Sequence, residues 1–392
     1  MRVATLSLIL ATTLLPAHAQ WTIQTPTTAD LRGIDNVGKG IAWASGTNGT
    51  VLRTEDAGYL WQRCTIPPNA EHLDFRGIQA FDANTAIVMS SGPGDQSRLY
   101  KTTDGCQTWT LLLTNTHPQG FWDAISFRRN ADGKIHGWLL GDPVHNRFEI
   151  AQSTSDDGLD FRADDTPTLA ADPKTEGAFA ASNSAFFELL DGPILPSGPP
   201  LPPPPQGTRR TNHYDLARQP IQWFVTGGKQ GARIFVRQPD RMFDFSVKPE
   251  WIAHSLPLGS NTESSGAFAV NVRSLDSGVI VGGDYLKPND NRRTAVYRDA
   301  KSHEWLAATT PPHGYRSAVA YDAPTKTWIT VGPNGTDIST DDGRNWRPLH
   351  PTNNDPPDAD RNWNALSLPY AVGPHGRIGI LKPSALQPSP AK

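Results

Sequence analysis

The chain has 392 residues and two cysteines, Cys64 and Cys106. That is too few for a disulfide scaffold or a thiolate metal site. Lys and Arg number 36 against 39 Asp and Glu, a net charge of −3, so no polybasic field is present to hold nucleic acid. The histidines show no metal-ligand spacing. Gly-rich phosphate loops are missing too, Gly282-Gly283 being a lone turn signal. Neither a metal nor a cofactor is therefore expected. Beyond the first residues, no apolar run is long enough to span a bilayer.

The first residues have the make-up of a signal peptide, assigned to residues 1–19. Arg2 supplies the basic region, Leu6 to Leu15 the apolar region, and Ala17-His18-Ala19 the cleavage site. The expectation is an exported protein, periplasmic or secreted, starting near Gln20. In an oxidising compartment Cys64 and Cys106 could pair, although spacing alone does not establish Cα proximity.

What is abundant is turn chemistry. Gly 34 and Pro 35 suit many short strands joined by tight turns. One spelling, Ser/Thr-x-Asp-x-Gly-x-x-aromatic, recurs at Thr54–Trp61, Thr102–Trp109, Thr154–Phe161 and Ser339–Trp346, with Cys106 in the Gly position of the second copy. In such a turn the Asp carboxylate accepts amide N–H groups that follow it, Gly takes a positive φ, and the aromatic opens the next strand and packs between sheets. The Asp residues are thus read as structural.

Seven strand openings can be counted. They are Leu31-Arg32-Gly33-Ile34, Phe75-Arg76-Gly77-Ile78, Phe121–Ile125, Glu176–Ala180, Ser265–Ala269, Gly314–Ala318 and Trp363–Ser367. Most are followed by a strand ending in Gly, as in Ala42–Gly46 and Trp328–Gly332, then by turns such as Asn48-Gly49 and Asn334-Gly335. The spacing averages roughly 45 residues, the period of four-stranded blades. The expected fold is all-β: a seven-bladed propeller over residues 20–382. Trp21–Gln24 would replace the missing fourth strand of the last blade and remove an open edge. In units four and five the turn motif has decayed, around Asp240–Phe243 and Asp299–Trp305. A Pro-rich insertion at about 190–207 is expected as a polyproline excursion within the fourth blade. Residues 383–392 are expected to form a disordered tail.

Strand alternation puts the Asp turns on one face of the disc. The strand starts and second turns lie on the other, which we call the rim face. It should gather Arg32, Arg76, Trp122, Asp123, Asp142, Glu176, Asp284, Tyr285, Tyr315 and Arg316. Such charges either bind an anionic group through arginine forks or pair with one another to fix blade against blade.

The Asp turns resemble Asp-box (BNR) repeats. With Arg32-Gly33-Ile34, Arg76-Gly77-Ile78 and Val331–Gly335, nearly the whole mature chain resembles the bacterial relatives of the photosystem II stability and assembly factor. That resemblance implies a non-enzymatic, monomeric scaffold whose arginine patch, here Arg32, Arg76 and Arg316, binds a protein partner. The Asp boxes also resemble those of sialidases, which implies an alternative: a hydrolase of an anionic carbohydrate. There Arg32, Arg76 and Arg316 would hold the carboxylate. Tyr315 or Tyr285 with Glu176 would form the nucleophile pair, and Asp123, Asp142 or Asp284 would be the acid. The Phe/Tyr-Arg-Ile-Pro opening of sialidases is absent; Phe75-Arg76-Gly77-Ile78 matches it only in part.

Overall fold

The computed structural model describes residues 19–129, 133–155, 160–189, 220–237 and 250–387. Among these, the strands form seven four-stranded antiparallel sheets arranged as the blades of a propeller. Blade 1 runs through Leu31–Gly38, Ile41–Gly46, Val51–Thr54 and Gln62–Arg63 in that order, and blades 2 to 6 repeat the pattern. Blade 7 is a composite. Its strands Ala365–Ser367, Tyr370–Val372 and Ile378–Leu381 are completed by Trp21–Gln24, with Trp21 opposite Leu381 and Gln24 opposite Ile378. The closing strand is fixed further where the amides of Gln20 and Trp21 donate to the Asp355 carboxylate at 3.0 and 2.9 Å. Trp21 stacks on Trp363 with centroids 5.2 Å apart. The last blade thus reaches the four strands of the others, as the repeat count required.

Two sequence features now have physical causes. The glycine that ends many second strands lies against the backbone of the first. A Cβ at Gly46 would come within 2.2 Å of the Asp30 carbonyl oxygen, and one at Gly373 within 1.9 Å of that of Asn362. The first, second and fourth Asp turns share one hydrogen-bond scheme, the third lying partly outside the described residues. The Gly58 amide donates to Thr54 Oγ1 at 3.0 Å, and the Leu60 amide to Asp56 Oδ1 at 3.0 Å. Gly343 with Ser339, and Asn345 with Asp341, repeat it at 3.0 and 2.9 Å. Each following aromatic reaches the preceding blade: Trp61 meets Tyr370 edge-on, and Trp109 Nε1 donates to the Thr65 carbonyl at 3.0 Å. In the second copy Cys106 takes the glycine conformation, φ 64°, and is bonded to Cys64, with Cα atoms 5.3 Å apart. The disulfide joins the outer edge of blade 1 to the turn of blade 2.

The fold corrects three expectations. Blade 4 does not open at Glu176–Ala180; its inner strand is Phe186–Leu189, and the earlier segment only bridges through Gly177 to Gly227. Its fourth strand opens at Trp251, buried against Trp138 of blade 3, whereas Asp240–Phe243 lie outside the described residues. The chain after Lys382 is not disordered from its start: Pro383–Leu386 form a 3-10 turn that buries Leu386 against the last blade. Residues 1–18 of the expected signal peptide, the insertion expected at 190–207 and residues 388–392 also fall outside the described residues. Among the described residues no helix is long and apolar enough to cross a membrane.

Candidate functional site on the rim face

The segment that failed to become an inner strand organises this face. From Glu176 to Ala185 the chain turns into the centre of the disc. The Glu176 carboxylate anchors one end: it is buried, accepts from Thr226 Oγ1 and Arg233 Nε at 2.7 Å each, and is also bound by Arg233 Nη2. The Ala178 amide donates to Asp142 Oδ1 at 2.9 Å, and the Ala180 amide donates to Asp123. At the far end Asn183 Oδ1 accepts from the Ile125 amide at 2.8 Å, and Ser182 Oγ donates to the Ser317 carbonyl at 2.6 Å. The segment therefore spans the channel between blades 3 and 6.

Burial pushes the carboxyls of Asp123 and Asp142 upward, Asp142 to about 7. For Asp123 the neighbouring Asp142 adds to the effect and the Arg76 charge opposes it. Asp123 Oδ2 has no hydrogen-bond partner among the described residues.

Arg32 and Arg76 converge on a residue the sequence reading passed over, Asp74. Arg76 Nε donates to Asp74 Oδ2 at 2.9 Å, and Arg32 Nε lies 3.6 Å from Oδ1. Both arginine side chains remain 31% exposed, and two cations facing one carboxylate leave a net positive charge. The signal was in the sequence: an Asp stands two residues before each arginine, in Asp30-Leu31-Arg32 and Asp74-Phe75-Arg76. Which Asp each arginine takes is decided across blades.

Arg316 does not join them. It is 1% exposed, with Nε donating to Asp337 Oδ2 at 2.9 Å and Nη1 to the Tyr315 carbonyl at 2.8 Å. It fixes the opening of blade 6 and is not a surface cation. Trp122 is likewise core, 4% exposed. Asp284 ties its own loop, accepting from Ser264 Oγ at 2.7 Å and the Leu286 amide at 3.0 Å.

An aromatic cluster completes the face. Phe179 stacks on Phe268 with centroids 3.8 Å apart, and Tyr315 meets Phe268 edge-on at 4.7 Å. Tyr285 and Leu286, 47% and 69% exposed, cap this cluster toward solvent. The nucleophile pair of the hydrolase reading is not assembled. Glu176 is committed to Arg233 and Thr226, and Tyr315 is buried among aromatics, which raises its phenol pKa.

This geometry has solved counterparts. Its fold resembles that of YCF48. A structure described as YCF48 bound to D1 peptide matches with a TM-score of 0.55 and 16% identity, over 93% of this chain and 97% of that one. YCF48 from Cyanidioschyzon merolae matches with a TM-score of 0.53 and 16% identity, over 93% and 99%. The expectation of a photosystem II assembly-factor-like propeller is thus met at the level of fold. No protein-family model and no curated protein sequence matches the chain.

Proposed function

We propose that this protein is an exported, non-catalytic binding propeller whose rim face takes a segment of a partner protein. An acidic group of that segment would sit on Arg32 and Arg76, and an apolar side chain on Phe179, Tyr285 and Leu286. The observation that carries this reading is the sharing of Asp74 by two partly exposed arginines, with the nearby Asp123 carboxyl pushed by burial toward its neutral form. Arginine forks suit carboxylates, and an adjacent aromatic platform supplies the apolar contact area on which interface hot spots rest. The likeness to YCF48, solved with a D1 peptide bound, agrees with a protein partner.

The test is fluorescence anisotropy against a set of short labelled peptides pairing a terminal or side-chain carboxylate with Leu, Phe or Ala. At least one should bind, and Arg76→Ala should weaken it about tenfold or more. Binding that ignores Arg32→Ala and Arg76→Ala alike would end this reading.

A further inference from the structure

A cavity lies in the central channel, along the inner strands. It holds about 350 Å³ and is lined by the inner strands of all seven blades. Ser182, Asn183 and Ser184 line its inner end, because the Ile125 and Val270 amides donate to Asn183 Oδ1 and to the Ser184 carbonyl, at 2.8 and 2.9 Å. The socket therefore lies on the other side of this segment from the rim site. Its volume is at the lower end of small-molecule pockets, which run from roughly 300 to 1,000 Å³.

The propeller symmetry places one equivalent residue per blade around the wall, each following a buried apolar one. Six of these seven are Asp35, Gln79, Ser126, Phe187, Asn271 and Ser367. Strand geometry needs nothing polar here: blade 6 has Ala320 at the same level. The ring thus offers a carboxylate, two amides, two hydroxyls and one phenyl face.

We infer that this socket binds a small uncharged carbohydrate, a hexose or a disaccharide. Among the described residues no Lys or Arg lines it, which disfavours an anion. Its carboxylates are already engaged. Asp35 Oδ2 accepts from Gln79 Nε2 at 2.8 Å and the Ala80 amide at 2.7 Å, and Glu188 Oε1 accepts from Gln222 Nε2 at 2.8 Å. No group of three or more metal-binding side chains occurs among the described residues. The side chains of Ser126 and Asn271 have no hydrogen-bond partner among the described residues, so their donors and acceptors are free for ligand hydroxyls. A pyranose ring also carries an apolar C–H face, for which half-buried Phe187 supplies an aromatic surface.

The experiment is ligand-observed NMR and calorimetry with glucose, N-acetylglucosamine and maltose, and glucuronate as the charged control. At least one neutral sugar should bind with Kd on the order of 0.1–10 mM, and glucuronate more weakly. Asn271→Ala should weaken binding about tenfold, the loss of a hydrogen-bonding group in a closed site. Ser126→Trp, which fills the socket, should abolish it. Arg32→Ala, at a side chain that contacts Asp74 and not the segment that lines the socket, should leave it unchanged, which separates this site from the rim face. Absence of binding for all three sugars at about 50 mM would overturn the inference. So would unchanged affinity in Asn271→Ala, whatever the stability of the tryptophan variant.

Discussion

Arg76 donates from Nη1 to the carbonyl of Ala180 at 3.4 Å, and so ties blade 2 to the segment that crosses the channel. The residue before Ala180 is Phe179, stacked on Phe268 of blade 5. One peptide unit, about 3.8 Å between Cα atoms, therefore links the cationic spot to the aromatic cluster. The two halves of the candidate site are held in register by the backbone of a single segment.

Asp74 restrains the arginines that the proposed partner would need. Asp74→Asn should strengthen binding of an acidic peptide severalfold, and raising salt from 0.05 to about 0.5 M should weaken it in both forms, because the spot is half exposed. Stability should change by no more than about 1 kcal/mol, the range of partly exposed ion pairs. Anisotropy titrations and urea melts measure both. Weaker peptide binding by the Asn variant would contradict the role given to Asp74.

The buried carboxyls predict a pH dependence of unusual sign. Asp142 is raised to about 7 and Asp35 to about 6, in both cases chiefly by burial. In the unfolded chain both titrate near 4. Between those values the folded state holds protons that the unfolded state has released, so stability falls as pH rises. Urea unfolding should therefore show greater stability at pH 5 than at pH 8, by about 1–3 kcal/mol. Asp142→Asn keeps an oxygen for the Ala178 amide and carries no charge, so it should flatten much of the slope. An unchanged slope in that variant would assign the dependence elsewhere.

Reduction, or replacement of both cysteines by serine, should cost about 2–5 kcal/mol in chemical denaturation. The bond closes a loop of 42 residues between blades 1 and 2. Cys106 sits at φ 64°, where glycine is at ease and other residues are strained. The pair Cys64→Ser with Cys106→Gly should thus be more stable than Cys64→Ser with Cys106→Ser, by about 1 kcal/mol.

Ring closure rests on Trp21, 2% exposed and stacked on Trp363. Trp21→Ala should lose about 3–5 kcal/mol in thermal or urea melts. Removing residues up to Gln24 should expose the edge of Ile378–Leu381 and promote association, visible by light scattering.

The local code alone determined the ring. Asp turns, strand-ending glycines and a fixed period are short-range properties, because each blade must solve the same turn and close-approach problem. Even the closing strand was legible, since one unit was short of a strand and Trp21–Gln24 offered one. The site was less legible. That Arg32 and Arg76 share Asp74 while Arg316 is buried on Asp337 depends on which blades face one another, which the local spelling around each arginine does not record. The tertiary structure also decided the fate of Glu176–Ala185. Its small and apolar residues read as an inner strand, but carboxylates from blade 3 and an arginine from blade 4 claim its polar groups. These contacts are made across the channel by residues far apart in the chain, and only the assembled ring brings them within hydrogen-bonding distance.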